Sequence, residues 1–178
     1  MERVAIFPGS FDPFTRGHEA IVEEALHLFD RVVIAIGHNI AKRGFLPSAE
    51  RKRLIEELYA ADPRVEVTLF TTLMGEEARR VGAGYVIRSA RNAADFEYER
   101  TMERANRDIF PELKTVMLLP PPEVENISSS LVRELHAFGY DVTRYMPEGV
   151  TIEKYLNIEL DSGHLSKIFF KVLKHLVI

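Results

Sequence analysis

The chain has 178 residues, of which 46% are hydrophobic, so it can bury a sizeable core and most simply forms one domain. Its 23 basic and 27 acidic residues give a net charge of -4, which argues against a protein recruited by its overall charge to nucleic acid or to an acidic membrane. It contains no cysteine, which excludes disulfide frameworks and cysteine-ligated metal sites.

Five short apolar segments have the composition of β-strands. Each is rich in β-branched residues and is bounded by turn-forming or charged residues, which is typical of buried strands in a parallel sheet. The five segments are residues 4–7, 32–37, 65–70, 85–88 and 115–119.

Amphipathic segments with helical spacing alternate with these strands. They are residues 19–29, 48–59, 74–81, 95–110 and 128–138. Ser48 and either Ser128 or Ser129 are candidate N-caps, and Gly139 is a candidate stop. The alternation predicts an α/β fold with a doubly wound, parallel, five-stranded, Rossmann-like sheet and right-handed crossovers.

The strongest functional signal lies between the first strand and the first helix. It is the run Pro8-Gly9-Ser10-Phe11-Asp12-Pro13-Phe14-Thr15-Arg16-Gly17-His18. Its glycines and prolines predict a shaped loop that brings the histidine to a helix N-terminus. The free N–H groups and the positive dipole end of that helix favour an anion. We therefore interpret His18 as a residue that handles phosphate.

Charged and hydroxyl side chains follow other predicted strands as well. Lys42 follows the second strand, Arg88 and Arg91 follow the fourth, and the serines at 128–130 follow the fifth. Because the carboxyl ends of parallel strands meet at one edge of the sheet, we expect these side chains to share a crevice with His18. The plainer interpretation of Lys42 is a solvated charge on a loop. The plainer interpretation of the serines is an ordinary helix N-cap.

Two motifs resemble the nucleotidyltransferase superfamily. Thr15-Arg16-Gly17-His18 resembles its Thr/His-x-Gly-His signature, and Ile127-Ser128-Ser129-Ser130 followed by Arg133 resembles its second signature. Over about residues 3–150 the chain is similar to the bacterial phosphopantetheine adenylyltransferase family. The positions that carry this closer match are 8–13, Lys42, Arg88, Arg91, Asp95-Phe96-Glu97-Tyr98-Glu99, Asn106-Arg107 and Pro111-Glu112-Leu113. Ser10 and Gly37-His38-Asn39 resemble the form found in the Bacteroides group.

The resemblance implies an enzyme of coenzyme A biosynthesis. Such an enzyme transfers the adenylyl group of ATP to 4′-phosphopantetheine, giving dephospho-coenzyme A and pyrophosphate by in-line attack without a covalent intermediate. Since the acceptor phosphate is already a nucleophile, positioning and charge stabilisation suffice. Coenzyme A-type molecules are the implied product ligands, and a homohexamer is the implied assembly. The resemblance implies no nucleic-acid or membrane partner.

Residue roles follow from the same resemblance. His18 would stabilise the transition state on the α-phosphate, in a protonation state that the sequence leaves open. The implied phosphopantetheine contacts are Ser10, Lys42, Met74 and Arg88. The implied ATP contacts are Ser10, Phe11, His18, Ser89, Ala90, Arg91, Glu99, Val124, Glu125, Asn126, Ile127, Ser128, Ser129 and Ser130. Without the resemblance, Met74 would be a core methionine and Glu99 a charged helix surface residue.

Magnesium is expected, held mainly by substrate phosphates and water. The sequence identifies no metal ligand. Asp12 is close to the histidine motif, but it has the plainer interpretation of a residue that caps its own turn.

One segment departs from the family pattern. Where the family commonly has Arg-Gly-Leu-Arg, this chain has Arg88-Ser89-Ala90-Arg91. A serine at a glycine position that has positive φ or lies against the triphosphate would add strain or a clash, whereas elsewhere its hydroxyl could add a hydrogen bond. Ala90 removes bulk that a leucine would have packed, which could leave a small cavity. We therefore expect an altered nucleotide affinity.

Two other functions stay open at this point. A related nucleotidyltransferase with another acceptor, such as nicotinate mononucleotide or glycerol 3-phosphate, would keep the histidine loop and change the second pocket. A catalytically weakened nucleotide-binding protein would explain Ser89 and Ala90. Lys42, Arg88 and the Asp-Phe-Glu-Tyr-Glu run favour phosphopantetheine as the acceptor.

The two ends of the chain complete the predictions. The first residues lack the basic region and long apolar core of a secretory signal, so we expect a cytoplasmic protein. Residues 1–156 are expected to form the nucleotidyltransferase domain, and residues 157–178 a helical C-terminal extension. The apolar part of that extension is about half a membrane span long and contains Lys171 and Lys174, so we expect no membrane helix.

Overall fold

A computed structural model describes residues 2–37 and 44–156 of the chain. Its five strands are β1 (Val4–Gly9), β2 (Arg31–Gly37), β3 (Val65–Phe70), β4 (Tyr85–Ser89) and β5 (Lys114–Leu118). Its five α-helices are α1 (Arg16–Leu28), α2 (Ser48–Leu58), α3 (Met74–Arg80), α4 (Ala93–Ile109) and α5 (Ser129–Ala137). Short 3₁₀ turns at Thr143–Tyr145 and Ile152–Lys154 follow. Lys42, His38, Asn39 and the extension 157–178 lie outside the described residues.

The sheet confirms the predicted architecture. All strand pairs are parallel, and the strand order is β3-β2-β1-β4-β5. Strand order therefore reverses at β1, which pairs with β2 on one side and with β4 on the other. In a doubly wound sheet this reversal opens a crevice beyond the carboxyl ends of the two central strands.

Both faces of the sheet are covered by apolar layers. Along β1, Ala5 and Phe7 face one layer, while Val4 and Ile6 face the other, as the two-residue period of a strand requires. Helices α1, α2 and α5 pack on the first face, and α3 packs on the second. The buried middles of the central strands are therefore apolar, which made them recognisable in the sequence.

The prediction that all five strands are buried was wrong for the two edge strands. In β3 only Thr68 is buried, and within the described part of the chain no residue of β5 is buried. Each of these strands has a neighbour on one side only, so its outer residues stay accessible to solvent.

The helix starts differ in detail from the predictions. Pro47, not Ser48, is the N-cap of α2, so the serine occupies the first helical position. Asn92 caps α4 by accepting the backbone N–H of Asp95, and Ser128 caps α5 by accepting that of Leu131. Among the described residues, no helix is long and apolar enough to cross a membrane.

Candidate active site

A cavity of about 380 Å³ lies at the reversal point of the sheet. The first turns of three helices line it: Gly17 and His18 from α1, Asp95 from α4, and Ser129 and Ser130 from α5. Each helix N-terminus carries free N–H groups and about half a positive charge. The cavity is therefore built to hold an anion, although its side-chain charges include both signs.

Close backbone approaches shape the wall of the cavity. A Cβ on Gly17 would lie 3.0 Å from the carbonyl oxygen of Ile127, so the glycine lets α1 approach the segment before α5. A Cβ on Gly9 would lie 2.8 Å from the ring of Phe11. Phe11 has φ of 47°, and among the described residues it is the one non-glycine residue with positive φ. Such a conformation persists only where the surroundings impose it.

The environment of His18 fixes the position of its proton. The backbone N–H of Thr15 donates to Nδ1 of His18 at 3.1 Å, and the Thr15 hydroxyl lies 3.0 Å from the same nitrogen. Because a backbone N–H can only donate, Nδ1 must be an acceptor, and the proton of the neutral ring is on Nε2. A neutral His18 therefore offers one N–H donor, while its other nitrogen is held by the helix cap.

The same environment disfavours the charged ring. The His18 ring packs against the rings of Phe7, Phe11 and Phe14, with centroid distances of 6.4, 5.1 and 5.4 Å. Burial lowers the pKa of His18 to about 4, with a smaller contribution from the positive charge of Arg91. Burial among these rings therefore favours the neutral form of His18 in the ligand-free protein.

The three serines of the second motif have different partners. Ser128 accepts from the backbone N–H of Leu131 at 3.1 Å, and Ser130 accepts from Arg133 at 3.1 Å, so both hydroxyls keep their hydrogen for a ligand. Ser129 instead donates its hydroxyl hydrogen to the carbonyl of Pro13 at 2.8 Å. It ties α5 to the loop after β1, and only its backbone N–H remains as a donor.

Arginines enter the site paired with carboxylates of α4. Nε of Arg91 donates to Asp95 at 3.0 Å, and both residues line the cavity. Nε of Arg88 lies 3.4 Å from a buried carboxylate oxygen of Glu99, which has no hydrogen-bond partner among the described residues. Glu99 lines the cavity and Arg88 does not, so the ion pair lies at the boundary between the cavity and the neighbouring space.

Ser89 ends β4 and lines the cavity. Its φ is not positive, so the serine at this position is not strained. Its neighbour Ala90 is buried, with 3% of its surface exposed. The strain expected from a positive φ is therefore absent, and the Ser89 hydroxyl is accessible from the cavity.

The structure brings together most of the predicted ATP contacts. Those that line the cavity are Ser10, His18, Ser89, Arg91, Glu99, Val124, Ile127, Ser128, Ser129 and Ser130. Those that do not are Phe11, Ala90, Glu125 and Asn126. Met74 begins α3 and packs against the apolar layer on the opposite face of the sheet.

Sequence reasoning missed several lining residues. They are Asp95, Tyr98, Pro120 and Ile21. Asp95 and Tyr98 belong to the Asp-Phe-Glu-Tyr-Glu run, and with Glu99 they follow the three- to four-residue spacing of one helix face, which was the available signal. Asp12 does not cap its own turn as suggested: its carboxylate accepts from the backbone N–H groups of Phe45 and Leu46.

Solved structures resemble this fold. A bifunctional NMN adenylyltransferase/ADP ribose pyrophosphatase from Francisella tularensis, complexed with AMP and a Mn ion, superposes with a TM-score of 0.60 at 17% identity. The match covers 84% of this chain and 46% of that one. Another structure of a bifunctional enzyme of this name from F. tularensis gives a TM-score of 0.61 at 19% identity, over 82% and 45%. The chain spans less than half of these proteins, and the likeness is one of fold.

Sequence relatives are closer. The family described as cytidylyltransferase-like matches residues 6–135. A phosphopantetheine adenylyltransferase from Phocaeicola vulgatus is 46% identical over 85% of this chain and 99% of that protein. Proteins of the same name from Bacteroides thetaiotaomicron and Lacticaseibacillus casei are 40% and 41% identical, over 84% and 93% of this chain and 99% of each relative. The chain belongs to the phosphopantetheine adenylyltransferase family and is a nucleotidyltransferase, with Bacteroides-type relatives among its matches, as its motifs predicted.

Proposed function

We propose that the protein transfers the adenylyl group of ATP to 4′-phosphopantetheine, with the triphosphate in the cavity among the three helix N-termini. The observation that carries this proposal is the geometry of His18 at the N-terminus of α1, where Nδ1 accepts the Thr15 N–H and leaves Nε2 as the donor nitrogen of a fixed ring that lines the cavity. Three helix ends and a fixed neutral donor suit a reaction in which negative charge develops on phosphoryl oxygens.

The reaction requires no nucleophile from the protein. A phosphate oxygen of the acceptor attacks the α-phosphorus of ATP, the bond to the β-phosphate oxygen breaks, and pyrophosphate leaves. His18 donates its Nε2–H to an α-phosphate oxygen, where charge grows in the transition state. The hydroxyls of Ser128 and Ser130 and the backbone N–H groups at the start of α5 hold the leaving pyrophosphate.

The acceptor occupies the space beside the cavity. Arg88 is half-buried next to Glu99, and a dianionic phosphate would compete with that carboxylate for its guanidinium. Lys42 is the second proposed phosphate ligand, and Met74 at the start of α3 is proposed to contact the pantetheine arm. In this arrangement Glu99 is released towards the nucleotide when Arg88 binds the acceptor phosphate.

Magnesium is proposed to enter with ATP. Asp95 and Glu99 are the carboxylates that line the cavity, and each lies beside an arginine. Within the described part of the chain no group of three or more metal-ligating side chains occurs. This donor set fits an ion that binds mainly phosphate oxygens and water, as Mg²⁺ does. When bound, the ion would neutralise charge on the pyrophosphate leaving group.

Assembly into a homohexamer in the cytoplasm is proposed from the family resemblance. Helix α4 supports an assembly, because it has no buried residue among those described and exposes Phe96, Met102 and Ile109. Sedimentation of the purified protein tests the proposal. A mass of six chains is the expected result, and a monomer would contradict it.

A pyrophosphate-release assay with ATP and a panel of acceptors tests the proposed activity. We expect release with 4′-phosphopantetheine and little with nicotinate mononucleotide or glycerol 3-phosphate. His18→Ala should lower kcat by about 10²–10³, the usual cost of removing one transition-state donor. His27→Ala, which alters a histidine at the far end of α1, is the matched control and should keep full activity. Release with another acceptor alone would contradict the proposal.

A further inference from the structure

Two loops are joined by reciprocal hydrogen bonds at a place that the reaction scheme does not use. The carboxylate of Asp12, after β1, accepts from the backbone N–H groups of Phe45 and Leu46 at 2.8 and 2.7 Å. In return, Arg51 of α2 donates Nη1 to the carbonyl of Ser10 at 2.7 Å. The loop after β1 and the segment from Gly44 into α2 thus each supply a charged side chain to the backbone of the other.

Both charged groups are buried, Asp12 with 9% and Arg51 with 7% of its surface exposed. Hydrogen bonds of buried charged groups are strong, and removing one partner leaves the other unsatisfied. Within residues 2–37 and 44–156, no carboxylate lies within 4 Å of the Arg51 guanidinium. Among these residues, no ion pair therefore positions the Arg51 guanidinium for its hydrogen bond to the Ser10 carbonyl.

The close packing at Gly44 belongs to the same arrangement. A Cβ on Gly44 would lie 2.9 Å from the carbonyl oxygen of Leu46, 3.0 Å from Oδ2 of Asp12 and 3.3 Å from Nη2 of Arg51. Gly44 therefore fits between the two charged side chains. In the sequence it follows Lys42 by two positions.

The reciprocal bonds also enclose the strained residue of the site. Phe11, with φ of 47°, lies between Ser10, which is bonded to Arg51, and Asp12. The carbonyl of Asp12 is in turn held by Arg133 at 2.7 Å. Ser10 lines the cavity, whereas Asp12 and Arg51 do not. The hydrogen bonds of Asp12 and Arg51 therefore position Ser10 from outside the cavity.

We propose that Asp12 and Arg51 are positioning residues for adenylyl transfer, which together fix Ser10 of the nucleotide cavity relative to the segment that leads from Gly44 into α2. The inference rests on the proposed function, in which these two loops hold the two reacting partners. A displacement of about 1 Å between reacting groups can cost about 10²-fold in rate. Ser10 is one of ten predicted ATP contacts that line the cavity, and the three helix ends take no part in the bonds of the Asp12 and Arg51 side chains, so binding of ATP alone should change little.

Steady-state kinetics and ATP binding of Arg51→Lys and Asp12→Asn test the proposal. Both should lower kcat/KM for phosphopantetheine by about 10–100-fold and change the ATP dissociation constant by less than about threefold. Arg53→Lys is the control on the same helix, where Arg53 pairs with Glu50 and Glu57. Asp62→Asn is the control for a carboxylate that accepts a backbone N–H, that of Arg64. Both controls should keep wild-type kinetics.

A double-mutant cycle separates a joint role from two independent structural defects. If both side chains serve one arrangement, the combined variant should lose little more kcat/KM than the more affected single variant. Multiplicative losses would overturn the proposal, as would undiminished kcat/KM in both single variants. If Arg51→Lys does not bind ATP, Asp12→Asn, which preserves the shape of the side chain, decides by its kinetics alone. A wild-type protein inactive with phosphopantetheine would instead contradict the proposed function.

Discussion

The loop after β1 and helix α4 both line the cavity, but they are held in different ways. In the loop, Phe11, Phe14 and Thr15 are almost fully buried, and Arg133 and Ser129 reach its backbone from more than 100 residues away. Helix α4 has no buried residue among those described. Arg100 and Arg107 pair with glutamates of the same helix, while Asp95 and Glu99 pair with Arg91 and Arg88, just after β4 and near its end. The loop is fixed by the core, whereas, among the described residues, the far half of α4 carries only ion pairs within the helix, so changes in the two regions should have different consequences.

The largest expected effect concerns the packing of the loop. In Gly9→Ala the new methyl group would lie 2.8 Å from the Phe11 ring, in a region where the neighbouring side chains are buried. We expect a loss of about 1–3 kcal/mol in the free energy of unfolding, as for other overpacked cores. Urea unfolding measures this change. Arg104→Ala on α4 is the comparison and should change stability by less than about 0.5 kcal/mol; equal losses in the two variants would remove the distinction between the regions.

The second prediction concerns the pH dependence of stability. The unfolded His18 ring has an ordinary pKa near 6.5, whereas burial lowers the folded value to about 4. As pH falls from 7 to 5, the unfolded state takes up a proton that the folded state does not, so His18 should account for a loss of about 2 kcal/mol. His18→Gln, which can still accept the Thr15 N–H, should remove this part of the pH dependence. Unfolding curves of both proteins at pH 7 and pH 5 measure it, and parallel losses would contradict the account.

A smaller effect is expected at Ser89, which ends β4 and lines the cavity together with residues of the loop after β1 and of α4. Because Ser89 is unstrained and faces the cavity, its hydroxyl should donate to the bound nucleotide. Loss of one such hydrogen bond of about 1 kcal/mol would weaken ATP binding about fivefold in Ser89→Gly. Calorimetry of ATP binding to the two proteins measures this difference. Identical dissociation constants would mean that this departure from the family pattern has no effect on nucleotide affinity.

The smallest effect is expected on α4. Exposed Arg107 pairs with the half-buried Glu103 within the helix, so Glu103→Gln should change the free energy of unfolding by less than about 1 kcal/mol and leave ATP binding unchanged. Thermal unfolding at low and high salt measures this contribution. A loss as large as that of Gly9→Ala would show that this pair contributes more than an ion pair within one helix does.

The sequence allowed the sheet, the helices and most of the cavity lining to be predicted, because strand composition, helical spacing and the two motifs are local patterns. It did not reveal the partners of single atoms. Ser129 and Pro13 are 116 positions apart, and Arg51 and Ser10 are 41 apart, so no local pattern announces their hydrogen bonds. The proton position of His18 likewise depends on the Thr15 N–H and on the surrounding phenylalanine rings.

The most direct test of the account is a titration of the His18 ring by ¹⁵N and ¹H NMR in the ligand-free protein, assigned with His18→Gln. We expect a pKa of about 4 and, at pH 7, a neutral ring with its proton on Nε2. A pKa of 6.5 or higher, or a proton on Nδ1 at pH 7, would contradict the claim that the helix cap and the buried rings prepare His18 as a neutral donor.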